Sequence, residues 1–123
     1  MVNQKYMTGK EYVDKSIART LKLHPIAVWR AKKLAEKLNE VMEECPGIQS
    51  IDIFCGRVFC HRYASAFCVP SAYGAVAVFK LWVVCNPLIL ENVLESYGFD
   101  CELANVSGNY FKTYYYIRKH EED

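Results

Sequence analysis

Nowhere does this chain run apolar for long. Its most apolar stretch, residues 75–85, is eleven residues with Lys80 in the middle, against about 20 needed to cross a bilayer. A buried strand is expected there, and no membrane partner. Residues 1–11 carry Lys5 and Lys10 and no apolar run of the kind that forms a signal-peptide core, which points to an intracellular, cytoplasmic protein. Histidine is scarce: His24, His61 and His120 lie in three separate segments, so none is placed to serve as a base for a nearby nucleophile. The chain also lacks a phosphate-binding glycine loop, a pair of helical histidine ligands and a Gly-x-Ser-x-Gly elbow. These absences argue against an enzyme, and no catalytic residue, metal or cofactor is expected. The nearest thing to a metal cluster is Cys55-x4-Cys60-His61, and strand alternation turns His61 away from Cys60.

What is present describes an ordinary globular chain. Apolar types make up 52% and charged types 24% of 123 residues, enough to bury one core and too apolar for a disordered segment. The six cysteines would suggest disulfides in a secreted protein; in an intracellular one they read as buried thiols. The net charge of +1 conceals an asymmetry. Residues 1–40 hold nine Lys and Arg against four acids, whereas residues 41–123 hold six against ten. Basic charge gathered on one helical segment is how nucleic-acid binders attract phosphate, and a solvated helix face carries it as well.

The periodicities predict an α+β fold of order α-α-β-β-β-α-β-β, with the N-terminal helices packed on a mostly antiparallel sheet in a single domain, 1–123. Helical spacing covers residues 9–45, first through Tyr12, Val13, Ile17 and Leu21. After Pro25 it resumes as one continuous helix carrying Ala31, Leu34, Ala35, Leu38, Val41, Met42 and Cys45. Residues 48–119 read as sheet with one helix at 87–98. Ile51, Ile53 and Cys55 alternate toward a turn at Gly56-Arg57, and Val58 to Tyr63 return from it. Asn86 is the expected N-cap of the inserted helix and Gly98 its C-cap. A final hairpin is expected from Asp100 to Lys119 around Gly108-Asn109.

Two stretches carry candidate binding residues. In Ser16 to Ala31, Ala18 is the small residue expected where two helices cross, Ile17, Leu21 and Leu23 surround the turn, and Val28 and Ala31 pack the second helix. This stretch resembles a helix-turn-helix DNA-binding motif, with Lys22 at the turn position that family more often gives to glycine. The resemblance implies double-stranded DNA as the partner, a homodimer as the bound form and a regulatory role. It also implies contacts from Arg19, Lys22, His24, Trp29, Arg30 and Lys33, with Arg30 reading a guanine edge and Lys33 holding a phosphate. The same apolar spacing suits any two helices packed across a tight turn. In the final hairpin, Tyr110, Lys112, Tyr114, Tyr116 and Arg118 alternate onto one face, a pattern that suits base stacking, an assembly interface or a plain strand rim. In compactness and cysteine content the chain looks like the small accessory proteins of archaeal viruses and plasmids.

Overall fold

The structure is a computed structural model that describes residues 8–63, 74–83, 86–106 and 112–121. Three helices and five strands follow in the order α1 (Gly9–Leu23), α2 (Pro25–Glu44), β1 (Ser50–Phe54), β2 (Arg57–His61), β3 (Ala75–Lys80), α3 (Pro87–Ser96), β4 (Phe99–Val106) and β5 (Lys112–Lys119). This is the α+β arrangement the periodicities predict.

Local chemistry explains the helix boundaries. Thr8 caps α1, its hydroxyl accepting the amide of Glu11 at 3.2 Å. Pro25 occupies the first turn of α2, where its missing N–H costs nothing. That helix continues unbroken to Cys45, whose own amide closes the last turn on the Val41 carbonyl at 2.7 Å. Asn86 caps α3 by accepting from the amides of Leu88 and Ile89. Gly98, at φ 88, ends it in the left-handed conformation that suits glycine.

The strands form one antiparallel sheet in the order β3-β2-β1-β5-β4. The buried stripe of α2 (Ala27, Ala31, Leu34, Ala35, Leu38, Val41, Met42) and that of α3 (Ile89, Leu90, Val93, Leu94) share one apolar cluster with Ile51, Ile53, Val58, Cys60, Tyr115 and Ile117. Strand alternation therefore gives the sheet one face under the helices and a second face carrying Ser50, Asp52, Phe54, Phe59, His61, Tyr114 and Tyr116.

Four expectations shift. The β1–β2 turn is Cys55-Gly56, not Gly56-Arg57, since Phe54 pairs with Arg57 and Ile53 with Val58. Both turn residues have positive φ, 46 and 74, as a two-residue hairpin requires. Gly56 has a second reason to lack a side chain, because a Cβ there would lie 2.5 Å from the Trp82 ring. The first strand begins at Ser50 and not at Ile48, and the α3 helix stops at Ser96. Lastly, β3 ends at Lys80 where apolar residues continue: Lys80 pairs with Arg57, the first residue of β2, and beyond it the Leu81 amide bonds to the Gly56 carbonyl at 2.9 Å while its side chain packs against the core. The Gly108-Asn109 turn and Tyr110 lie outside the described residues.

Candidate nucleic-acid interface

α1 has no buried residue. It leans on the rest of the protein through half-buried Ile17, Thr20 and Leu21, the last packed against the core cluster. A single residue, His24, joins it to α2. The His24 amide bonds back to the Leu21 carbonyl at 3.3 Å, its ring Nδ1 donates to the Thr20 carbonyl at 2.9 Å, and its own carbonyl accepts from Val28 at 3.0 Å. His24 is thus the hinge pin of the two helices as well as an exposed side chain. Ala18 is exposed and Val28 is half-buried against the core.

Around this joint the surface mixes apolar bulk with positive charge. Tyr12, Leu23, Ile26 and Trp29 are 64%, 65%, 68% and 58% exposed. Between residues 8 and 35 stand seven Lys and Arg and two acids. Helical spacing puts Ile26, Trp29 and Lys33 on the outer face of α2, opposite its buried stripe. Lys33 Nζ lies 5.7 Å from the centre of the Trp29 ring, within cation–π range, and 3.4 Å from Glu36. Arg19 and Lys22 are exposed on α1, whereas Arg30 is half-buried at the edge of the outer face. Farther along α2 the same face turns neutral, with Lys37 paired to Glu40 at 3.4 Å.

The second candidate surface is divided. Tyr114 is buried at 3% exposure and meets Tyr116 edge to face at 5.6 Å, Tyr116 is half-buried, and Arg118 is exposed and paired with Asp100 at 3.3 Å. Tyr110 and the Lys112 side chain lie outside the described residues. A buried Tyr114 cannot stack a base, so this hairpin does not present the open aromatic row its alternation suggests. Nearby, a shallow groove of about 690 Å³ is lined, among the described residues, by Glu95, Asp100 and Glu102 with Arg118 as the one cation, a surface that repels phosphate.

A polar cluster that the sequence pattern did not single out sits on the second sheet face. Asp52 and His61, 1% and 3% exposed, approach to 3.4 Å. That distance suits a charge interaction, but among the described residues neither His61 nitrogen has hydrogen-bond alignment toward a partner. Ser50 is fully buried beside them and donates to the Tyr63 carbonyl at 2.7 Å. Its proton is therefore directed away from His61, and the three are not arranged as a nucleophile and its base. The signal was available in the alternation: Ser50 and Asp52 are polar residues inside an apolar strand, in phase with His61 across the hairpin.

Two thiols and one carboxyl are perturbed by their surroundings. Burial pushes Cys60 and Cys101 up to about 12, with nearby Cys45 adding to the first and Glu91 and Glu95 to the second. Glu91 is also raised, chiefly by partial burial, although the amide of Leu103 donates to it at 3.3 Å and opposes the shift. Thiols held protonated are poor nucleophiles and poor metal ligands. Among the described residues no group of three or more His, Cys, Asp or Glu is placed to hold a metal ion, and no described helix is long and apolar enough to cross a membrane. No family model, no curated protein and no solved structure matches this chain.

Proposed function

We propose that the protein binds double-stranded DNA, as a homodimer, through the helix-turn-helix-like surface of α1 and the first half of α2, and that it regulates or organises that DNA instead of acting as an enzyme. The observation that supports this most is Trp29. An indole usually packs inward, yet here it stands 58% exposed on the outer face of α2 with Lys33 above its ring. Leaving that apolar area in water is unfavourable, and a ligand that covers it while neutralising Arg19, Lys22 and Lys33 relieves both costs. In this reading Arg30 and Trp29 meet base edges and the lysines meet phosphates. The alternative, an assembly module that presents the C-terminal hairpin, draws less support because Tyr114 is buried.

Fluorescence anisotropy with labelled duplexes across a salt series tests the proposal. Affinity should fall steeply with salt, because each phosphate contact releases counterions. Arg30→Ala should reduce discrimination between duplexes by about 1–3 kcal/mol, and Lys33→Ala should weaken every duplex about equally and lower the salt slope by about one unit. Equal loss on all sequences from both changes would leave only non-specific binding. Absence of binding at low salt would overturn the proposal.

A further inference from the structure

Aromatic and basic residues also meet at the turn end of the β1–β2 hairpin, on the sheet face away from the helices. Cross-strand register sets Phe54, Arg57 and Lys80 side by side, a row about 10 Å wide over three strands. All three are exposed, Phe54 at 42%. Among the described residues neither Arg57 nor Lys80 has an ion pair. The one acid on these three strands, Asp52, is buried in the next row. The row therefore presents uncompensated positive charge beside an aromatic ring.

Trp82 completes this end of the sheet. A Cβ placed on Gly56 would lie 2.5, 2.8 and 2.9 Å from Cε2, Cδ2 and Cζ2 of its indole. Cε2 and Cδ2 are the ring-fusion atoms and carry no hydrogen, so Gly56 approaches the flat face of the ring and not its edge. The ring lies over the turn on one face and is still 63% exposed, which leaves the other face to solvent. Its backbone is held as well. The preceding residue, Leu81, bonds through its amide to the Gly56 carbonyl at 2.9 Å and packs its side chain against the core. An aromatic plane fixed in this way has little freedom left to lose when a ligand covers it.

We infer that Trp82, Phe54, Arg57 and Lys80 form a binding site for a single strand of nucleic acid, with an unpaired base stacked on the open face of the Trp82 indole. Arg57 and Lys80 neutralise the phosphates on either side of that base, and Phe54 supplies a second aromatic contact. Flat rings joined by regular negative charge are the chemistry that fits open aromatic faces set among unpaired cations. A duplex does not fit, because its bases are stacked on one another and their faces are closed. The site uses no residue of α1 or α2, so it is separate from the duplex-binding surface proposed above and does not depend on it.

Trp29 and Trp82 are the only tryptophans of the chain, so in Trp29→Phe the indole emission comes from Trp82 alone. Titrating that variant with a short thymidine oligonucleotide should quench the emission saturably. In anisotropy with labelled strands, Trp82→Ala should bind the same oligonucleotide about 5- to 150-fold more weakly, the loss of one stacked base, and should keep wild-type affinity for duplexes. Arg57→Ala and Lys80→Ala should each lower the salt slope on single strands by about 0.7. Circular dichroism is the folding control. Should Trp82→Ala not fold, wild type decides the matter: it should bind an abasic strand of equal length far more weakly than the thymidine strand. Deoxyuridine and uridine strands, which differ only in the 2′-hydroxyl, identify the strand as DNA or RNA by which binds tighter. Equal affinity for abasic and thymidine strands, quenching by polyglutamate as strong as by the oligonucleotide, or wild-type single-strand affinity in a folded Trp82→Ala protein overturns the inference. None of these results bears on the duplex reading, which the salt series on duplexes tests by itself.

Discussion

Replacing Leu38 with alanine tests the packing of α2 on the sheet in one step. Leu38 lies in the middle of the helix with no exposure and belongs to the cluster that includes Ile51 and Tyr115. Three carbons are removed from that environment. At about 0.8 kcal/mol each, the transfer cost is ~2.4 kcal/mol, and the cavity left between helix and sheet raises the total to roughly 3–4 kcal/mol, inside the range seen for such changes. With about 2.1 cal/mol/K of unfolding entropy per residue over this length, a loss of ~3 kcal/mol lowers the midpoint by ~12 °C. Urea denaturation followed by far-ultraviolet circular dichroism reads the change, at one fixed protein concentration because a dimer links stability to concentration. Lys37→Ala, next door on the exposed side, should stay within about 0.5 kcal/mol. A cost below ~1 kcal/mol for Leu38→Ala with an unchanged m-value would show that this stripe of α2 is not packed against the sheet.

Further outcomes follow from the same physics. Removing one member of the buried pair, as in His61→Leu, should cost about 1–3 kcal/mol in chemical denaturation, because a buried polar contact at 3.4 Å is lost; a cost no larger than that of an exposed position would mean the pair is not buried. Glu91→Gln should raise stability at neutral pH. A carboxyl whose folded pKa is raised opposes folding most fully above that raised value, so the gain should shrink as pH falls from there toward the ordinary glutamate value of 4.5 and vanish below it, and a gain constant with pH would refute the assignment. In thiol titration with a disulfide reagent, Cys55→Ser should remove a fast-reacting group, because Cys55 is exposed on the hairpin turn. Cys60→Ala should leave the fast phase intact, since that thiol is buried and held protonated.

Element types and order were legible in the sequence because they depend on short-range pattern. The spacing from Ala31 to Met42 admits only a helix with one buried side, and Asn86-Pro87 followed by Gly98 marks both ends of α3 by capping chemistry. The alternation of Ile51 and Ile53 against Phe54 assigned the sheet faces correctly even though the turn lay one residue earlier, because the next partition of side chains repeats every two residues. The turn itself was decided by contact: Trp82, distant in sequence, lies over Gly56, and Cys55 accepts a positive φ to permit it.

Exposure was decided only by the tertiary structure. Trp29, Tyr12 and Ile26 are residue types that suit a core, but among the described residues no layer covers α1 or the outer face of α2, so they remain on the surface. Tyr114 and Asp52 lie in strands whose pattern permits a wet rim, and both are buried. The position of β3 at an edge, and of α2 beside it, depends on the strand order β3-β2-β1-β5-β4. Periodicity reports which side of a strand or helix is apolar; which side meets another layer is set by long-range packing, and that information resides in no local stretch of this chain.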